Sequence, residues 1–239
     1  MSRRFVIGDI HGGLRALHQC LERAGVNPEE DQLIFLGDYV DGWSESAELI
    51  QFLIELPGDH IFLKGNHDQW CHDWLHMGKQ PLIWTKQGGQ ATIDSYIRTG
   101  YINDDHRIFF RKLHNYYIDD QNRGFVHGGF RSRKGLGHEA YTSDYYWDRD
   151  LWSLAQFAEG ADLHALMEHE KRFTKHKEIF IGHTSTINWN RTDPIHAANV
   201  WNLDTGAGFS GKLTIMDVNT KEYWQSELVK ELYPDEHGR

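Results

Sequence analysis

Two cysteines in 239 residues, Cys20 and Cys71, are too few for a disulfide framework, and neither stands in a Cys-x-x-Cys zinc spacing. Each reads as a buried or idle thiol. Long apolar runs are missing too: none reaches the roughly 18 residues that a membrane-spanning helix needs, and the mean hydropathy is -0.63. The opening Met1-Ser2-Arg3-Arg4-Phe5-Val6-Ile7 lacks the apolar stretch of a signal peptide. The expectation is therefore a cytoplasmic protein with no membrane partner. Positive charge is in deficit, 25 Lys and Arg against 35 Asp and Glu for a formal charge of -10, which argues against gripping nucleic acid by charge. Linkers, repeats and low-complexity tracts are absent, so residues 1–239 read as one domain.

What the chain has in quantity is histidine, 16 residues, and tryptophan, nine. Imidazole is a common metal ligand and exposed indole a stacking surface, but position must decide between those uses and ordinary core. Five short apolar runs each end in a small polar cluster. Phe5-Val6-Ile7 precedes Gly8-Asp9-Ile10-His11-Gly12, and Leu33-Ile34-Phe35-Leu36 precedes Gly37-Asp38-Tyr39-Val40-Asp41. Ile61-Phe62-Leu63 leads to Gly65-Asn66-His67-Asp68, Phe125-Val126 to His127-Gly128-Gly129, and Ile179-Phe180-Ile181 to Gly182-His183-Thr184. Such runs predict buried strands.

Leu14, Leu17, Leu21 and Ala24 predict a helix between the first two strands, and Leu49, Ile50, Leu53 and Ile54 one between the second and third. The N-terminal third thus reads β-α-β-α-β with parallel strands. Further helices are expected around Trp70, Trp74 and Met77, after Gly88-Gly89 through Tyr96, and around Leu163, Leu166, Met167 and Phe173. Strands are expected at Val200–Leu203, and a hairpin about Asn219-Thr220.

Open α/β sheets bind ligands at the carboxyl ends of their strands, where all five polar clusters fall. Asp9, His11, Asp38, Asn66, His127 and His183 should therefore converge. They offer oxygen and imidazole donors enough for two divalent metal ions sharing one carboxylate.

These five motifs together resemble the PPP branch of the metallophosphoesterases, over residues 5 to 184. That branch holds serine/threonine protein phosphatases and bacterial relatives including diadenosine tetraphosphatases. The stretch from Trp84 to Tyr96, and Asn202-Leu203-Asp204-Thr205-Gly206, resemble the bacterial members. The resemblance implies an α/β sandwich of two mixed β-sheets flanked by helices. It implies Asp9 and His11 on a first metal, Asp38 bridging, and Asn66, His127 and His183 on a second. Water acidified by both ions would attack phosphorus, His67 would protonate the leaving oxygen and Asp41 would hold its ring. Mn, Fe or Zn suits this mixed donor set better than Ca.

One position departs from the family pattern Gly-Asp-x-Val-Asp-Arg-Gly: Gly42-Trp43 stand where Arg-Gly is usual, removing a phosphate-clamping guanidinium. Gly42→Arg is expected to restore one if the backbone accepts a side chain. Arg149, between Asp148 and Asp150, resembles by context a second phosphate-binding arginine of bacterial members, against a surface ion pair. Arg131, with Arg133 and Lys134, could steer a polyanion or be merely solvated. The first substrate expectation is a phosphorylated protein or small phosphoester, as for a bacterial serine/threonine phosphatase. The second is a dinucleoside polyphosphate, with Trp43, Trp70, Trp74, Trp84, Trp147 and Trp152 as candidate base-stacking or core residues. A non-catalytic phospho-ligand binding module is the alternative of another class.

Overall fold

The computed structural model describes residues 3–159 and 170–239. Each predicted apolar run is a short strand: β1 (Arg4–Ile7), β2 (Gln32–Phe35), β3 (Ile61–Phe62), β5 (Gly124–Val126) and β6 (Ile179–Ile181). β1, β2 and β3 run parallel, and so do β5, β6 and β8 (Val200–Asn202). Antiparallel partners complete each half. The hairpin of β9 (Thr214–Asp217) and β10 (Tyr223–Gln225) closes on β1, giving the order β10-β9-β1-β2-β3. β4 (Tyr116–Ile118) and β7 (Ile195–Ala197) flank the other sheet, ordered β4-β5-β6-β8-β7. Two mixed sheets flanked by helices is the expected architecture.

Alternation of side chains along each strand builds three apolar layers. Val6, Ile34 and Met216 of the first sheet meet Phe125 and Phe180 of the second in a cluster with Leu36 and Leu203. The outward-facing residues Phe5, Ile7, Leu33 and Phe35 pack under α1 (Leu14–Arg23), α2 (Ser46–Glu55), α3 (Asn66–Met77), α5 (Gln90–Thr99) and α6 (Asp104–Lys112). On the far side, Val126, Ile179 and Ile181 pack with Leu151, Trp152 and Ala155 of α7 (Asp150–Glu159). Burial of each such side chain contributes roughly 1.5–3 kcal/mol, which fixes the two sheets face to face.

The helix expected after Gly88-Gly89 begins earlier and irregularly: α4 (Leu82–Trp84) passes through a π-type turn, Thr85–Gly89, into α5. Gly88, at φ 94, takes the turn that a side chain would resist. Leu163, Leu166 and Met167 lie outside the described residues, and Phe173 falls in a single 3₁₀ turn, Lys171–Thr174. Cys20 and Cys71 are buried free thiols. No helix among the described residues is long and apolar enough to cross a membrane.

Candidate metal centre

The five parallel strands that carry the motifs point their carboxyl ends toward one place. Asp9 and His11 follow β1, Asp38 follows β2, Asn66 opens α3 after β3, His127 follows β5 and His183 follows β6. All six residues are 6% exposed or less. Donor atoms of Asp9, His11 and Asp38 lie within 4.8 Å of one another, and so do those of Asp38, His127 and His183. Asp38 is common to both groups. Asn66 Oδ1 stands 3.2 Å from His127 Nε2, beside the second group.

Hydrogen bonds set which atoms face inward. His11 Nδ1–H donates to the carbonyls of Val40 and Asp41 at 3.0 Å, and His127 Nδ1–H to the Leu36 carbonyl at 2.9 Å. The lone pair of each ring is thereby left on Nε2. Asp38 Oδ1 accepts the His67 backbone N–H at 2.9 Å, leaving Oδ2 between the two groups, 3.8 Å from His11 Nε2 and 3.3 Å from His127 Nε2. Asp9 Oδ1 and His183 Nε2 are buried and have no protein partner. An unpartnered buried carboxylate oxygen is costly, and a cation is the ligand that removes the cost.

The electrostatics agree. Burial, then Asp204, pushes the Asp9 carboxyl well above its usual range. Burial opposes charge on His127, but Asp38 and Asp9 outweigh it and raise the imidazole to about 9. A divalent ion held between these carboxylates would supply the positive charge they favour and leave His127 Nε2 free to ligate.

Local backbone is bent to bring the donors in. His11, Asp38, Asp41 and His183 have φ of 53, 51, 74 and 66°, in the left-handed region that L side chains avoid. A Cβ on Gly182 would lie 2.0 Å from Asp9 Oδ1, so only glycine lets the second sheet approach that carboxylate.

His67 and Asp41 form a fully buried pair, Nδ1 to Oδ2 at 2.6 Å. Burial pushes Asp41 up to about 8 and His67 down to about 3, so the pair shares one proton at neutral pH. Its location follows from the other partners. Thr92 Oγ1 accepts the Asp41 N–H and donates its hydroxyl proton to Oδ1 at 2.7 Å, while Trp84 Nε1–H donates to Oδ2 at 2.6 Å. A carboxylate receiving these donors keeps its charge, so the titratable proton belongs on the ring, which then carries N–H at both nitrogens, with Nδ1–H donating to Asp41 Oδ2. His67 Nε2–H is buried and has no protein partner.

Arg149 does not pair with its sequence neighbours. It donates to the His183 carbonyl at 3.0 Å and to Thr184 Oγ1 at 2.9 Å, at the edge of the second group. Arg131 takes Asp148 instead, at 3.0 Å, from an exposed position, with Asp150 at 3.9 Å. Of the tryptophans, Trp43, Trp84 and Trp152 are core. Trp147, 43% exposed, lies 5.3 Å from Trp70 and 6.0 Å from His183 by ring centroids, and Trp70 lies 5.0 Å from His67.

Sequence reasoning left several site residues without a role. Asp68 accepts the backbone N–H groups of Asp38, Tyr39 and Gly65 and so fixes the Asp38 loop. It stood in the Gly65-Asn66-His67-Asp68 motif, as Trp84 and Thr92 stood in theirs. Arg239 had no motif at all, yet its Nη1 is 3.1 Å from His11 Nε2.

A family model described as calcineurin-like phosphoesterase matches residues 2–203. A symmetrical bis(5'-nucleosyl)-tetraphosphatase of Pseudomonas fluorescens is 24% identical over 285 residues, covering 95% of each chain. Serine/threonine-protein phosphatase 1 of Salmonella typhimurium is 26% identical over 219 residues, covering 88% of this chain and 89% of its own. Among solved structures, the metallophosphoesterase of Sphaerobacter thermophilus shares the fold at a TM-score of 0.56 and 18% identity, over 98% of this chain and 94% of that one. The family uses a dimetal centre, and these matches set the chain among hydrolases rather than binding modules. The chain belongs to the calcineurin-like phosphoesterase family, in its PPP branch, and is a hydrolase.

Proposed function

We propose that the chain hydrolyses a nucleoside polyphosphate at a phosphoanhydride bond. The observation that carries the chemistry is the pair of ligand groups meeting at Asp38 Oδ2. Asp9, His11 and Asp38 would hold one ion, and Asp38, Asn66, His127 and His183 the other. Mn, Fe or Zn fits these donors. When bound, the two ions neutralise phosphate charge and supply a nucleophilic water at neutral pH.

The protein's own residues do the rest. His67 gives a proton from Nε2 to the leaving oxygen, its Nδ1–H held by Asp41. A phosphate dianion near Nε2 is the charge that favours that second ring proton. Arg149 orients the phosphate.

The aromatic wall supports this substrate class. Trp70 and Trp147 lie beside His67 and His183. A planar nucleoside fits such a wall, and stacking on one aromatic contributes roughly 1–3 kcal/mol per base. The relatives named for tetraphosphatase activity support the same choice. The test compares kcat/KM on diadenosine tetraphosphate and on a phosphoserine peptide with added Mn²⁺. A higher value on the dinucleotide, with KM raised roughly 5- to 100-fold by Trp147→Ala, supports the reading. A higher value on the peptide, with Trp147→Ala silent, transfers it to phosphoproteins.

A further inference from the structure

The missing arginine at position 42 leaves a question about charge: the centre lacks the guanidinium that resembling sequences place there. Gly42 cannot simply be mutated back. Its φ of 122° is one that L side chains rarely adopt, and a Cβ would meet the His11 carbonyl oxygen at 3.3 Å. Next come His11 Cβ at 3.5 Å and the backbone nitrogen of Arg239 at 3.6 Å. The space into which residue 42 would project is thus bordered by a residue 197 positions away in the chain.

That residue is firmly held. The segment after β10 makes one short helical turn, Val229–Leu232, and then Tyr233 stacks on buried Trp43 at 5.3 Å and 22°. Glu236 accepts both the backbone N–H and the hydroxyl of Ser44, at 2.9 and 2.6 Å. Arg239 N–H donates to the Gly208 carbonyl at 2.8 Å, and the guanidinium lies over Phe209, 5.0 Å from its centroid. The end of this side chain therefore stands at the first ligand group, with Nη1 3.1 Å from His11 Nε2.

We propose that Arg239 is the phosphate-clamping arginine of this enzyme, delivered by the C-terminal segment into the place vacated at Gly42. The proposal rests on the dimetal reading above. His11 Nε2 carries the lone pair that an ion in the first group takes, so with that ion bound the guanidinium must turn to another acceptor. A phosphoryl oxygen drawn to the same ion is the anion within its reach, and a planar fork of donors suits it. Arg149 approaches from the His183 side. The two guanidiniums thus approach the centre from the sides of different ligand groups.

The test is calorimetric binding of inorganic phosphate to the Mn²⁺-loaded protein, for the parent, Arg239→Met and Arg239→Lys, with Mn²⁺ affinity measured separately. Hydrogen bonds to charged groups carry enough energy that Arg239→Met should weaken phosphate binding roughly 10- to 100-fold. Arg239→Lys should fall between, keeping charge but not the fork, and Mn²⁺ affinity should not weaken in either variant. Equal phosphate affinity in the parent and a folded Arg239→Met overturns the proposal. So does unchanged phosphate affinity with tighter Mn²⁺ binding, which would make Arg239 a plug on the first group. Should Arg239→Met fail to fold, Arg239→Lys carries the same comparison, and parent-like phosphate affinity there, against the expected weakening, overturns the clamp. A parent protein that takes up no Mn²⁺ is a different result: it overturns the dimetal reading and the clamp with it.

Discussion

The two ligand groups that share Asp38 are built by different means. The first is local to one sheet: the Ile10 and His11 N–H groups both donate to the Asp38 carbonyl, at 3.0 and 2.9 Å, so the β1 and β2 loops hold each other. The second crosses between sheets, tied by His127 Nδ1–H on the Leu36 carbonyl and by His183 N–H on Asp9 Oδ2 at 3.0 Å. One group therefore depends on loop geometry, the other on how the sheets pack. Asp38 is the joint, and its left-handed backbone, φ 51°, is paid for by hydrogen bonds from both sides.

Removing the joint should give the largest effect. Asp38→Asn keeps the shape of the side chain and the Oδ1 acceptor for His67 N–H but loses the charge that both ions would share. Metal affinity should fall by more than the roughly 10- to 100-fold typical of outer hydrogen-bonding partners, in both groups together. Elemental analysis of parent and variant decides it, and loss of one ion alone would show that the groups are independent.

His67→Asn sharpens the comparison by leaving the joint intact, because His67 holds Asp38 through its backbone N–H rather than its ring. Metal content should be unchanged. Hydrolysis of a phosphoserine peptide, whose alkoxide leaving group needs a proton, should fall by roughly 10²- to 10⁴-fold, and that of nitrophenyl phosphate, whose leaving group departs as the anion, much less. Chemistry-limited kcat on both substrates measures this, with binding determined separately. Equal losses would make His67 a structural part of the centre.

Legibility in the sequence followed the same division. Residues sitting one to four positions after a buried strand, such as Asp9, Asp38 and His183, could be found because strand and site are local to each other. So could the strands that carry them, from apolar runs bounded by glycine, whereas their division into two sheets came from the family resemblance alone. Arg239 could not, since nothing near it in sequence says that Gly208 and Ser44 await it in space. Trp84 and Thr92 were visible as part of a motif, but their grip on Asp41 depends on the π-type turn at Thr85–Gly89 bringing α5 against the Asp41 loop. The edge strands β4 and β7 escaped because neither is a continuous buried run: β4 is partly exposed along its length and β7 carries exposed His196 at its centre.

Packing between the sheets tests whether the second group depends on the seam. Phe125 and Phe180 stack at 4.9 Å and 9° within the cluster that joins them. Phe180→Ala should cost roughly 3–5 kcal/mol of stability. Below the unfolding transition it should weaken Mn²⁺ binding at one stoichiometric site and spare the other. Equal weakening at both sites would show that the seam does not distinguish them.

The smallest effect comes from a buried histidine outside both groups, and it separates general pH sensitivity from that of the centre. His106 on α6 accepts the Tyr96 hydroxyl proton at Nδ1, 2.9 Å, and donates Nε2–H to Gln51 Oε1 at 3.0 Å, an arrangement for the neutral ring. Burial lowers its pKa to about 4, against a weaker pull upward from Asp105. The unfolded chain, with an ordinary value near ~6.5, binds more protons than the folded one between those limits, so stability rises with pH across that window. The contribution is full above about pH 6.5 and is lost as pH falls toward about 4. Urea midpoints at pH 7 and 5 should therefore drop further for the parent than for His106→Gln, by on the order of 1 kcal/mol after allowance for screening. Identical pH dependence in the two would mean that His106 is already protonated in the folded state, and that the Tyr96 hydroxyl accepts from the ring rather than donating to it.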